Sequence, residues 1–287
     1  MSENRTDYLL DVDEVLGPEL RKKLPRFARN FLKRRLHQDE INDCILNAEH
    51  YKGAGFCDEA LKYLNITYKV RGLENLDLSK KYIFACNHPL GGPETLMIGS
   101  ILSKIYGDRF KVVSNQLLMF MKPLKEFFVP VKVFARQGRD ISDRMTEMFE
   151  SDSQVVVFPA GLCARKIGRK LTEMPWKKMF ITQSRKYERD VVPVHISGHN
   201  SKWYFFLSKL SKFLHLKVNI GMLFLVDELF KQSGNEIIIT VGEPVPYTTF
   251  DRTKTDLQWA EAIKESFQRT MAVLLTCKDL TYGTSNH

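Results

Sequence analysis

The sequence predicts an α/β protein with a mixed, largely parallel sheet flanked by helices and an N-terminal helical segment. Three observations carry that expectation. Short β-type runs recur from about residue 66 onward, helical patterns separate most of them, and the first 65 residues read as helical throughout. Alternation of this kind calls for crossover connections, which make neighbouring strands parallel and place helices over the faces of the sheet. The chain has 287 residues, of which 44% are apolar and 27% charged, an ordinary globular composition that excludes a disordered or low-complexity protein. No internal repeat or Gly/Ser-rich linker divides it. We therefore expect a helical segment over 1–65 and one α/β domain over 66–287.

Within the first segment, residues 21–36 read RKKLPRFARNFLKRRL, with eight basic residues and no acidic one. On a helix, Leu24, Phe27, Ala28, Phe31 and Leu32 fall on one arc and most of the cations on the other, with Pro25 in the first turn. That pattern suits a helix lying in an anionic membrane interface. It equally suits a helix whose apolar arc packs on the protein while its charges are solvated.

The expected strands follow at 66–70, 82–87, 110–114, 128–134, 154–159 and 190–196. Helical stretches come next at roughly 201–216 and 222–231, then a strand at 236–242 and a helix at about 255–276. Pro244 and Pro246 mark the turn before that last helix. Between residues 165 and 189 nine basic residues stand against Glu173 and Glu188, a cluster that reads as a partly helical, cationic surface near the strand-end turn at 158–161.

The net charge of +9 points to nucleic acid, an anionic membrane surface or a phosphorylated substrate. The basic runs lack the interleaved aromatics of a base-stacking platform, so no nucleic acid is expected. The five cysteines show no Cys-x-x-Cys spacing, which argues against a disulfide framework or zinc site and for a reducing interior. Cys86 and Cys163 read as small core residues. No apolar run approaches the ~18–20 residues needed to cross a bilayer; residues 220–226 come nearest and are followed by Asp227 and Glu228. The start of the chain, MSENRTDYLLDVDEV, is polar and acidic and does not read as a secretion signal. The expectation is a protein peripheral on the inner face of the cell membrane.

The most informative stretch is YIFACNHPLGGPE at 82–94. A β-type run ends in Asn87-His88, a Pro-Leu-Gly-Gly turn follows, and Pro93-Glu94 opens a helix. Pro93 suits the first helical position, and a carboxylate one residue later suits the positive helix end. This arrangement delivers His88 at the edge of a strand and lets the turn bring Glu94 back towards it. A carboxylate on one ring nitrogen fixes the tautomer and frees the other nitrogen to take a proton. The amides of Gly91 and Gly92 are placed to contact an oxyanion or phosphate.

Here the chain resembles the glycerolipid acyltransferases, the group containing 1-acylglycerol-3-phosphate acyltransferase. Their first block is His, four residues, Asp; this chain has His88, five residues, Glu94. The Asn-His-Pro-Leu-Gly-Gly pattern is similar to a branch of hemolysin-like proteins and acyltransferases of bacterial ornithine and glycine lipids. The stretch VVVFPAGLCARK (155–166) resembles the third block, usually Phe-Pro-Glu-Gly-Thr-Arg-Ser: Phe158, Pro159 and Gly161 match, Ala160 replaces the glutamate, and Arg165 and Lys166 follow. FVPVKVFARQGR (128–139) holds the place of the second block, whose arginine serves an acceptor phosphate. Arg136, Arg139 and Lys132 are all candidates. VVPVHISG (191–198) resembles the fourth block, a strand with a proline (Pro193) that lines an acyl groove. FLVDELF (224–230) and GEPVPY extend the likeness to about residue 250.

The resemblance implies transfer of a fatty acyl group from an acyl-carrier-protein or coenzyme A thioester to the hydroxyl of a lysolipid, most readily a lyso-aminolipid of the glycine, ornithine or serine type. His88 is the implied base and Glu94 its orienting acid. Asn87, Gly91, Gly92, Arg136, Arg139, Phe158, Pro159, Gly161, Arg165 and Lys166 are the implied substrate contacts. No metal or cofactor beyond the thioester co-substrate is expected. The alternatives are a 1-acylglycerol-3-phosphate acyltransferase and an inactive lipid-binding relative. A serine hydrolase is disfavoured because no Gly-x-Ser-x-Gly elbow occurs.

Overall fold

A computed structural model of the chain describes residues 4–131, 139–167, 170–213 and 224–281. Helices α1 (Val12–Lys23), α2 (Arg26–Arg35), α3 (Gln38–Asn47) and α4 (Gly55–Tyr63) come first. Strands β1 (Thr67–Arg71) and β2 (Tyr82–Cys86), helix α5 (Pro93–Tyr106), strands β3 (Phe110–Asn115) and β4 (Phe128–Val131), helix α6 (Arg139–Glu150) and strand β5 (Gln154–Val157) follow. Then come strands β6 (Arg165–Ile167) and β7 (Lys170–Thr172), helix α7 (Met179–Tyr187), strand β8 (Asp190–Ile196), helices α8 (Lys202–Phe213) and α9 (Leu225–Phe230), strand β9 (Glu236–Val241) and helix α10 (Asp256–Thr281).

Seven strands form one sheet in the order β1-β9-β8-β2-β5-β3-β4. Its neighbours are parallel except β8 and β9, which pair antiparallel from Val194↔Val241 to Ile196↔Ile239. This is the mixed, largely parallel sheet the sequence predicts. β2 is buried on both faces, as expected of a central parallel strand whose sequence is continuously apolar. Tyr82, Phe84 and Cys86 face one core with Phe56 and Leu61 of α4 and Met97 and Ile101 of α5. Ile83 and Ala85 face the other, with Phe149 of α6, Phe180 and Ile181 of α7, and Ala260 of α10. At a typical ~1.5–3 kcal/mol for each fully buried large apolar side chain, these two layers dominate the stability.

Three boundaries differ from the sequence expectation. The segment before residue 66 is not separate: Cys44, Ile45, Phe56, Cys57 and Leu61 belong to the core over one sheet face, because the apolar stripe of α4 needs α5 as its partner. The basic stretch 21–36 is two helices, not one. Leu24 is extended (φ −89°, ψ 126°) because it precedes Pro25, and Pro25 stands at the N-cap of α2. Part of the basic cluster after residue 164 is the antiparallel β6–β7 hairpin rather than helix. The expected strand at 128–134 is seen as far as Val131, and the helix at 201–216 as far as Phe213; the remainders lie outside the described residues.

Candidate active site

β2 ends at Cys86, and Asn87 staples that end to β8. Its Oδ1 accepts from the Ile196 amide at 2.7 Å, and its Nδ2 donates to the Ile196 carbonyl at 3.0 Å. Both ends of the Asn87 amide are thus spent on backbone, so it positions the next residue instead of reaching substrate. That residue, His88, emerges at the carboxyl edge of the sheet, where open α/β folds bind their ligands.

The turn behind it folds around Glu94, which is fully buried. Oε1 accepts from the amides of Leu90 at 2.6 Å and Gly91 at 2.8 Å, and Oε2 accepts from Gly92 at 2.8 Å. Gly91 has φ +95°, a left-handed conformation, and a Cβ there would come within 2.7 Å of Cys163 Sγ and of Leu225 Cδ2. The turn therefore requires glycine at that position. The Gly91 and Gly92 amides do not face an oxyanion as expected: the buried carboxylate takes them, since an unpaired charge there would cost several kcal/mol.

His88 Nδ1 lies 3.3 Å from Glu94 Oε1, an ion-pair distance. It is out of line for a well-formed hydrogen bond, because that oxygen already accepts two amides. The imidazole leans on Phe158 with ring centroids 4.7 Å apart, and its carbonyl accepts from the Ala164 amide at 2.9 Å. Burial alone lowers the pKa of His88, but Cys163 and Glu94 beside it carry it well above the ordinary histidine range. Burial likewise opposes ionisation of Glu94, and the facing imidazole with the Gly91 amide holds its pKa below the ordinary value. The pair is charge-complementary and sealed from behind, and it can accept a proton from a hydroxyl.

Phe158, Pro159 and Gly161 form the second wall. The Gly161 amide closes a tight turn on the Phe158 carbonyl at 2.9 Å, with φ +66° at Gly161. The Lys177 amide donates to the Pro159 carbonyl at 3.1 Å, and a Cβ on Gly161 would come 3.1 Å from Lys177 Nζ. Arg165 opens β6 half-buried, beside Tyr204 of α8, whereas Lys166 is exposed. Arg139 opens α6, with its side chain outside the described residues. Arg136 and Lys132 also lie outside them.

Three further groups border the site, none of them among the expected substrate contacts. Cys163 is buried beside His88 and Tyr204, near enough to raise the pKa of both. Lys177 brings an ammonium over the Phe-Pro-Ala-Gly turn. Leu225 and Leu229 of α9 cover Gly91 and Gly92. Lys177 was visible only as one of nine cations, and the contacts of α9 are too distant in sequence to read. No cluster of histidine, cysteine and carboxylate able to hold a metal occurs among the described residues.

Fold and site together define a class: an α/β protein with a strand-end histidine backed by a buried carboxylate. The chain belongs to the acyltransferase family, whose model matches residues 12–274, and it is an enzyme of that family. It is 38% identical over 261 residues to a lyso-glycine lipid O-acyltransferase of Bacteroides thetaiotaomicron, covering 90% of this chain and 96% of the relative. It is 37% identical over 261 residues to a lyso-glycine lipid O-acyltransferase of Phocaeicola vulgatus, covering 90% and 94%. The crystal structure of the 1-acyl-sn-glycerophosphate acyltransferase PlsC from Thermotoga maritima aligns with a TM-score of 0.47 at 16% identity, over 91% of this chain and 87% of that one.

Proposed function

We propose that the protein transfers a fatty acyl group from an acyl-carrier-protein or coenzyme A thioester to the hydroxyl of a lyso-glycine lipid, working on the inner face of a membrane. The observation that carries the chemistry is the His88–Glu94 pair at the carboxyl edge of β2. His88 takes the acceptor proton as the hydroxyl attacks the thioester carbonyl. Glu94 holds the ring in place and balances the imidazolium that forms. The thiolate of the carrier then leaves and collects the proton from His88. The choice of a glycine lipid rests on the two relatives, which cover nearly the whole chain.

The membrane part of the proposal rests on α1 and α2. Phe27 and Phe31 of α2 are 77% and 54% exposed, and Leu20 of α1 is 51% exposed. Arg21, Lys22, Lys23, Arg26 and Arg34 are exposed around them, and none makes an ion pair among the described residues. Among those residues no helix is long and apolar enough to cross a membrane. Phe27 and Phe31 of α2 are thus left uncovered, as an interfacial helix requires, while Ala28 and Leu32 are partly buried.

Incubation of the purified protein with acyl-CoA or acyl-carrier protein and a lyso-glycine lipid should release free thiol and form the diacylated product. A His88→Ala variant should lose at least about 100-fold in rate. Lysophosphatidic acid serves as the competing acceptor; faster turnover of it would refute the glycine-lipid assignment, and an unchanged His88→Ala rate would refute the mechanism.

A further inference from the structure

Helix α8 carries the run Trp203-Tyr204-Phe205-Phe206. Tyr204 and Phe205 turn inward and are buried, and Tyr204 lies near Cys163, its pKa raised by burial and by that cysteine. Trp203 and Phe206 turn outward, 56% and 52% exposed, with their rings stacked 5.4 Å apart. Lys202 and Lys209 are exposed on the same side, and residues 202–213 contain no acidic residue. The inner pair packs on the body of the protein, and the outer pair leaves a large apolar patch exposed.

This patch is joined to α2 through α9. Buried Glu228 of α9 accepts from the Ser201 hydroxyl at 2.7 Å, pinning the start of α8. The next carboxylate, Asp227, pairs with Arg35 of α2 at 2.7 Å and with His37 at 2.8 Å. The inner side of α9 lies on the catalytic turn, through Leu225 at Gly91 and Leu229 at Gly92. One connected wall thus runs from α2 through α9 to α8, directly over the turn that holds Glu94.

We infer that α8 is a second bilayer-contacting element, its outer face seated in an anionic lipid surface, so that the catalytic turn is bracketed by two interfacial helices. The inference rests on the membrane part of the proposed function. An aromatic pair flanked by lysines matches the chemistry of that interface: rings at the headgroup level, ammonium groups on lipid phosphates. A second copy of the chain fits less well, because a two-fold contact would set Lys202 and Lys209 against like charges with no carboxylate on the helix to offset them.

The test compares Trp203→Ala/Phe206→Ala and Lys202→Glu/Lys209→Glu with Phe27→Ala/Phe31→Ala on vesicles of mixed phosphatidylcholine and phosphatidylglycerol. The first two variants should bind vesicles at least about tenfold more weakly while keeping their thermal melts and their turnover of a short-chain acceptor dissolved as monomer. Brominated lipid should quench the tryptophan emission of the unaltered protein and much less that of Trp203→Phe, since of the two tryptophans left Trp176 is buried and Trp259 is half-buried on α10, packed between Phe250 and Lys254. Unchanged vesicle binding by both α8 variants, with binding lost in the α2 variant, overturns the inference and leaves the membrane reading standing. Unchanged binding in all three overturns both. A dimer that dissociates in Trp203→Ala/Phe206→Ala, with vesicle binding intact, makes the face an interface between copies and also overturns the inference.

Discussion

Replacing Glu94 with glutamine removes the charge behind His88 and little else in volume, so its consequences can be worked from the geometry. The carboxylate and imidazole are 3.3 Å apart in a buried setting. At an effective dielectric constant of about 20, unit charges at that distance attract by about 5 kcal/mol. That attraction exists only once His88 is protonated, as it is in the transition state. Its loss therefore falls on kcat, at about 1.4 kcal/mol per decade, giving an expected drop of roughly 10³–10⁴-fold. The amide of glutamine also presents a donor to one of the three turn amides, which leaves that amide unsatisfied at a cost of about 1–3 kcal/mol in stability. The pH dependence carries a third signature. His88 must be neutral to act as base, and its raised pKa places the rising limb of activity above the ordinary histidine range. Removing a group that raises that pKa moves the limb to lower pH. The assay is thiol release against pH, run well below the melting temperature of the variant. A Glu94→Gln enzyme that keeps kcat within about tenfold of the parent, with its limb unmoved, would refute the role assigned to Glu94.

Three further outcomes are expected. Cys163→Ser should retain activity within about tenfold and also shift the pH limb downward, because the thiol raises the His88 pKa but carries no acyl group in the mechanism; abolished turnover would instead make it a nucleophile. Gly91→Ala should be nearly inactive and less thermostable, since φ is +95° and the new methyl meets Cys163 and Leu225 at 2.7 Å; normal kcat and melting would contradict the geometry of the turn. Arg189, almost fully buried, donates to the carbonyls of Phe149, Ser151 and Ser153, so Arg189→Met should cost about 3–5 kcal/mol by denaturant unfolding and leave the KM of the surviving enzyme unchanged. A loss under about 1 kcal/mol would show that the loop finds other donors.

The central strands were legible because buried parallel strands leave uninterrupted apolar runs: YIFAC and QVVV survive as β2 and β5 within a residue or two of their expected limits. His88 and Glu94 were legible for a different reason, since both lie on one local turn whose residue types suit a strand end and a helix start. What depends on distant packing was not legible. The N-terminal segment reads as independent because its cations dominate, yet Phe56 and Cys57 sit in the core. The β6–β7 hairpin was hidden by lysines and arginines that have no strand signature of their own. Asn87 read as a substrate contact, because nothing local shows that Ile196, more than a hundred residues later, consumes its amide.

The longer spacing between His88 and Glu94 follows from the same turn. An extra residue between histidine and acid lengthens the loop, and a carboxylate on an aspartate-length arm starting from Glu94 would fall short of the turn amides. The structure meets this with two local changes: Gly91 adopts φ +95°, which folds the added residue back, and the extra methylene of glutamate carries the carboxylate to Leu90, Gly91, Gly92 and His88 at once. The acid thereby acquires a second task. Beside the orienting role proposed for it, it is the keystone of the loop: the amides of Leu90, Gly91 and Gly92 turn inward to it. On the proposed mechanism, stabilisation of a tetrahedral intermediate would then come from the opposite wall, where Lys177 and Arg165 are cations beside the Phe-Pro-Ala-Gly turn among the described residues. On that mechanism the glycine-rich turn would serve the base, and these cations the charge that the base creates.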